Sequence, residues 1–135
     1  MIERRHLTDR QVLEEMVHHH NFNIREVVAE YGYGLDILIN DKNPHVRRGV
    51  AFYGRDEDLD ILVNDKDPNV RAIVAKHGRE KDLNILVNDE SYIVRLSVVN
   101  NAQGHHLKTL VKDKNENVRN KALNKLKENN IIENR

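Results

Sequence analysis

Five arginines recur in one local setting along the chain: Arg25, Arg47, Arg71, Arg95 and Arg119. Four aspartates recur with them. Asp41, Asp65, Asp89 and Asp113 each stand six residues before an arginine, from Arg47 onward. A guanidinium is a fixed planar fork of N–H donors that fits carboxylate and phosphate groups. Such a set can do one of two things. It can grip an anionic ligand, or it can tie backbone segments together through carbonyls and the accompanying aspartates. The chain has 22 basic and 22 acidic residues, so its formal net charge is zero. Arginines matched by aspartates at the same spacing are expected to satisfy each other, because buried polar groups need partners. The spacing therefore predicts a structural ladder.

The eight histidines (His6, His18, His19, His20, His45, His77, His105 and His106) are the other reactive set. The run His18–His20 offers imidazoles to a transition metal. Three consecutive side chains point in different directions, however, and no second ligand stands at a clean helical spacing. The run takes the place of Asn-Asp-Lys in the later phrases, so a solvated turn is expected and no metal is predicted. No GxSxG, HExxH, phosphate-binding glycine loop or dinucleotide fingerprint is present. Ser91 and Ser97 are the only serines, and cysteine is absent. The acidic clusters Glu14-Glu15 and Asp56-Glu57-Asp58 fit polar turns and first helical turns. The reading is a non-enzyme with no cofactor and no small-molecule substrate.

These residues sit in a phrase that returns every 24 residues. Leu35–Asp58 reads LDILINDKNPHVRRGVAFYGRDED and Leu59–Asp82 reads LDILVNDKDPNVRAIVAKHGREKD. Leu83–His106 and Leu107–Asn130 follow the same plan. A degenerate first copy covers about 11–34, residues 1–12 act as a cap, and 131–135 form a tail that folds back or stays unstructured. Each phrase carries two helical signals. The first is the short L-x-I-L stretch, long enough for an α or 3₁₀ turn. The second opens with an N-cap and proline, Asn43-Pro44 or Asp67-Pro68, and closes at Gly54 or Gly78. Val46 and Val50, or Val70 and Val74, put one apolar face inward. Thr8 predicts the N-cap of an earlier helix, with Asp9 in its first turn. Ala29, Ala51 and Ala75 predict close helix approach. Neither half of a phrase can bury its apolar stripe alone, whereas stacked copies can. The last copy, with its many lysines, predicts a polar end face.

The pattern L-x-x-L-x-x-D-x-[DN]-P-x-V-R-x-x-V-A-x-x-G resembles the leucine-rich repeat variant family, a branch of the HEAT-like α-solenoids. It is clearest where Leu38/Leu62, Asp41/Asp65, Pro44/Pro68, Val46/Val70, Arg47/Arg71 and Ala51/Ala75 match. The resemblance implies an all-α, short right-handed α-solenoid of about five repeats, alternating a 3₁₀ and an α-helix in one domain. It implies no shared activity. The Fe–S module of some members does not carry over to a chain without cysteine. An ordinary leucine-rich horseshoe is excluded, because Asn64 takes the place of its third leucine.

A scaffold of this kind holds its core constant and varies a surface. The variable positions are Tyr31, Arg48, Phe52, Tyr53, Ala72, Ile73, Lys76, His77, Leu96, Asn100 and Asn101. Tyr31, Phe52 and Tyr53 read as partner anchors. Phe52 and Tyr53 read equally as packing between the first and second copies. The leading expectation is a cytoplasmic protein-interaction scaffold that does not bind membranes. The alternative is a nucleic-acid-binding solenoid using Lys42, Arg47, Arg48, Lys66, Arg71 and Lys76. Zero net charge and scarce aromatics weigh against it.

Overall fold

The computed structural model describes residues 6–133, with side chains described through Asn130. The described residues are all-helical and contain no strand. Their helices are α1 (Asp9–Met16), α2 (Phe22–Glu30), α3 (Leu35–Leu38), α4 (Pro44–Tyr53), α5 (Asp56–Leu62), α6 (Pro68–Lys76), α7 (Glu80–Leu86), α8 (Tyr92–Val99), α9 (Gly104–Leu110) and α10 (Glu116–Glu133). The chain divides into two compact units, Met1–Asp58 and Leu59–Arg135, and the division falls at a phrase boundary.

Local chemistry accounts for the helix ends. Thr8 caps α1 by accepting from the Gln11 N–H, and the Gln11 side chain accepts the Thr8 N–H in return. Asn43 and Asp67 cap α4 and α6, with proline next in each case. Ser91 makes no side-chain cap for α8. The short segments are α-helical, not 3₁₀. Helices α5 and α7 start three residues before their L-x-I-L stretch, with Asp56, Glu57 and Asp58, or Glu80 and Asp82, in the first turn. Carboxylates there oppose the positive end of the helix dipole, which extends the helix backward. The expected tail is different as well. Helix α10 runs on through Glu133, because no glycine or proline follows Leu126 to stop it. The expectations for residues 1–5 and 134–135 lie outside the described residues.

In the first unit α2 packs on α4, and α3 on both. Val28, Ala29, Leu38, Val46, Val50 and Ala51 are buried there. The α2–α4 approach is close enough to require glycine. A Cβ on Gly49 would lie 2.7 Å from the Glu26 carbonyl oxygen and 3.0 Å from Ala29 Cβ. In the second unit α6 packs on α8, and α10 on α8 and α9. Its core holds Leu59, Leu62, Val70, Val74, Leu83, Leu86, Val94, Val98, Leu107, Leu110, Val118 and Ala122. Each fully buried leucine or valine stabilises the fold by about 1.5–3 kcal/mol relative to exposure.

The arginines work between phrases. Arg71 donates from Nη1 to the Asp65 carbonyl oxygen of its own phrase, at 2.6 Å. Its Nε and Nη2 donate to both carboxylate oxygens of Asp89 in the next phrase, at 2.8 and 3.0 Å. Arg95 treats the Asp89 carbonyl and the Asp113 carboxylate alike. In the first unit Arg25 binds the His19 carbonyl and the Asp41 carboxylate. Arg47 and Arg119 donate to the carbonyls of Asp41 and Asp113. Each aspartate also folds its own turn, since an oxygen of Asp41, Asp65, Asp89 or Asp113 accepts the N–H two residues on. The recurrence six residues apart thus marks a carbonyl contact, and the ion pair reaches one phrase further.

Burial pushes the Asp113 carboxyl up. The Arg95 hydrogen bond, the Asn115 N–H and the nearby charges of Arg95 and Lys114 outweigh it and hold the group below the ordinary value of 3.8. Its contribution to stability is therefore full above that value and is lost as pH falls through the lower folded-state value.

Removing one member of a buried pair strands the other charge. Arg71→Ala is expected to lower the unfolding free energy by about 3 kcal/mol in urea titration. Arg10→Ala, which breaks an exposed pair with Glu14, is expected to change it by less than about 0.5 kcal/mol.

Candidate interaction surface

The long helices α2, α4, α6, α8 and α10 carry the variable positions, and the structure sorts them into three groups. Tyr31, Phe52 and Tyr53 are 66%, 62% and 50% exposed. Lys76, His77, Asn100 and Asn101 are exposed, and Arg48, Ile73 and Leu96 are half-buried. Ala72 is 6% exposed and belongs to the core. That corrects its place among the surface candidates. It lies on the buried arc of α6 beside Arg71, whose side chain must reach inward.

Two surface candidates also have structural contacts. The Tyr53 ring lies against the bare backbone of Gly32, where a Cβ would sit 2.5 Å from ring carbons. Gly32 has a φ of 86°, a conformation glycine adopts without strain. Tyr53 is thus fixed against the end of α2 while half of it faces outward. The packing reading of this residue describes its inner side. Asn101 holds the matching place in the second unit and donates from Nδ2 to the Lys76 carbonyl at 3.1 Å. It closes the open C-terminal end of α6.

A second set of charged residues was not singled out from sequence. Arg55 binds Asp58 through Nε and Nη2 at 2.7 and 3.0 Å, and Asp36 through Nη2 at 2.6 Å. Arg79 repeats this with Asp82 and Asp60. The side chains of Asp58 and Asp82 are almost fully buried. These carboxylates, Asp58 before Asp36 and Asp82 before Asp60, raise the two guanidinium pKa values above the usual range. The signal in the sequence was R-x-x-D at 24-residue spacing, with a further aspartate 19 residues before each arginine.

In the fourth phrase the trio becomes Gln103, His106 and Asn84. His106 is 2% exposed. Its Nδ1 accepts the Gln103 N–H at 2.9 Å, so Nε2 carries the proton and donates to Asn84 Oδ1 at 2.8 Å. One neutral imidazole thus accepts the N–H of the turn and takes over the arginine's reach back to the second residue of its own phrase. All three charges of the trio are replaced together.

The His18–His20 run lines an open cleft of about 540 Å³ with Arg25, Asp41 and Lys42. His19 is part of the framework. Its Nδ1 accepts the Asn21 N–H at 3.0 Å, as Asp41 accepts that of Asn43, and its carbonyl accepts from Arg25. His19 and His20 stack with centroids 4.4 Å apart. No group of three or more metal-ligating side chains occurs among the described residues. Of the six cations considered for nucleic acid, Arg47 and Arg71 are buried and donate inward. Lys42, Arg48, Lys66 and Lys76 remain at least partly accessible. No described helix is long and apolar enough to cross a membrane. Comparison with family models, curated proteins and solved structures found no match.

Burial, then the charge of His105, lowers the His106 pKa below 6.5, while Glu80 opposes them. A histidine depressed in the folded state contributes fully above the unfolded value, and that contribution is lost as pH falls from about 6.5 through the folded value. The urea midpoint is expected to drop between pH 7.5 and 5.5. The loss is bounded by about 1.4 kcal/mol per pH unit for one proton. In His106→Gln the midpoint should start lower at pH 7.5 and decline less. An equal decline in both proteins contradicts the assignment.

Proposed function

We propose that the chain is a non-enzymatic α-solenoid scaffold of the kind the leucine-rich repeat variant resemblance implies, and that it works by binding another protein. One observation carries this reading. Three of the chain's six aromatic residues, Tyr31, Phe52 and Tyr53, stand at least half exposed at the ends of α2 and α4. Tyr31 follows the last residue of α2 and precedes Gly32, on which the Tyr53 ring rests. Val27, one turn before Tyr31, adds another exposed apolar side chain. Large, preordered aromatic side chains offer contact area at low entropic cost and are enriched among interface hot spots. Exposed apolar groups gathered in one place are uncommon without a partner.

The alternative, nucleic-acid binding, has less support. Arg47 and Arg71 are buried and donate to backbone carbonyls within their own units, which leaves a shorter set of cations to neutralise phosphates. The ladder arginines and aspartates act in this proposal as framework, and the variable positions on the long helices as the binding surface.

The test compares the intact chain with Tyr31→Ala/Phe52→Ala as baits in cross-linked pull-downs from the native host, followed by affinity measurement on the recovered protein. Neither side chain is core, so thermal unfolding should move little. The paired variant is expected to bind the partner at least about tenfold more weakly. Undiminished capture by that variant contradicts the proposal.

A further inference from the structure

Five buried or half-buried arginines of this chain face carboxylates: Arg25 with Asp41, Arg71 with Asp89, Arg95 with Asp113, Arg55 with Asp58, and Arg79 with Asp82. Lys121 on α10 breaks that pattern. It is half-buried, yet no carboxylate among the described residues pairs with it. Its ammonium donates to the Leu96 carbonyl at 3.3 Å, and the Lys125 ammonium donates to the Asn100 carbonyl at 3.2 Å. Both carbonyls belong to the last turn and cap of α8. An ammonium carries three N–H donors, so each lysine keeps two beyond these bonds.

The space beside them is shaped. Val99, Asn100, Lys121, Asn124, Lys125 and Glu128 line a cleft of about 290 Å³. Lys76 on α6 does not line this cleft, but its positive charge acts on Lys121. The Lys121 pKa is lowered first by burial, then by the charges of Lys76 and Lys125. Charge removed from water without a counter-charge is costly, and this cluster has cationic charge to spare. Glu128 is the one acid on the cleft wall, and its exposed carboxylate pairs with neither ammonium.

We propose that Lys121 and Lys125, with the side-chain amides of Asn100 and Asn124, form a binding site for a dianionic phosphate group, with Lys76 adding positive charge from outside the cleft. Lysines are point charges that suit a tetrahedral oxyanion, whereas the planar carboxylate is matched better by arginine. The site takes one phosphate and not a polyphosphate backbone. Arg71, Arg79 and Arg95 of the same unit are engaged by carboxylates, and no aromatic side chain lines the cleft. The phosphate can be free or carried as an ester on a protein segment.

The experiment is an amide NMR titration of the full chain at pH 8 with inorganic phosphate, against sodium chloride at matched ionic strength. Parallel arms use a short phosphoserine peptide and its unphosphorylated form. Saturable phosphate shifts confined to residues 96–101 and 120–128 are expected, with a dissociation constant of about 1 mM. Lys121→Gln should weaken binding by about fivefold or more. Lys76→Gln should weaken it by a smaller factor, and since Lys76 donates no framework hydrogen bond, it tests the charge of the site without disturbing the α8–α10 contact. Tighter binding of the phosphopeptide than of phosphate identifies an ester as the source, and equal binding identifies the free ion. Shifts that fail to saturate, that follow ionic strength alone, or that persist undiminished in both variants overturn the proposal. Duplex DNA moving these resonances where inorganic phosphate does not overturns it as well.

Discussion

A guanidinium taken out of water needs acceptors for its N–H groups and a counter-charge nearby, and this requirement organises the chain. Arg95 shows the full arrangement. One donor closes on the carbonyl of Asp89, and two others close on the carboxylate of Asp113. Asp113 uses the same carboxylate to fold the turn before α10. One side chain therefore ties a turn in its own phrase to a turn in the next. Apolar burial supplies most of the driving force, but it is non-directional. A bidentate ion pair has a fixed geometry, so it can set how one helix pair meets its neighbour.

The variations in the pattern follow from the same requirement. His19 occupies the aspartate position where no arginine of the column stands earlier in the sequence. A neutral acceptor is enough there, and imidazole supplies it. Arg55 and Arg79 need two acids each, and both are provided. Where glutamine replaces that arginine at Gln103, the acids change with it to His106 and Asn84. A lone aspartate kept in the place of His106 would be a buried charge without a partner.

Much of the fold was legible in the sequence because the signals were local and repeated. Asn43-Pro44 and Asp67-Pro68 mark helix starts through capping and the fixed φ of proline, with no need for tertiary context. Val46, Val50, Val70 and Val74 mark the buried face through helical period alone. What could not be read depends on direction in space. The six-residue spacing of Asp and Arg left open whether the arginine takes a carbonyl or an aspartate, and in which phrase; the carboxylate turns toward the preceding phrase and leaves its carbonyl to the arginine six residues on. Ala72 looked variable in sequence and is buried, because small residues fit both settings. Asn101 and Tyr53 share an aligned position and an approach to a preceding helix end, yet one is a polar cap and the other an aromatic platform. The two-unit division has no compositional mark, since no glycine- or proline-rich linker precedes Leu59.

The coupling between Arg95 and Asp113 joins one phrase to the next. A double-mutant cycle with Arg95→Ala, Asp113→Ala and the combined variant measures it directly by equilibrium unfolding at pH 7. A coupling of about 2 kcal/mol is predicted, with the combined variant far more stable than the sum of the single losses implies. Additive losses, within about 0.5 kcal/mol, would contradict the claim that this pair holds the helices in place.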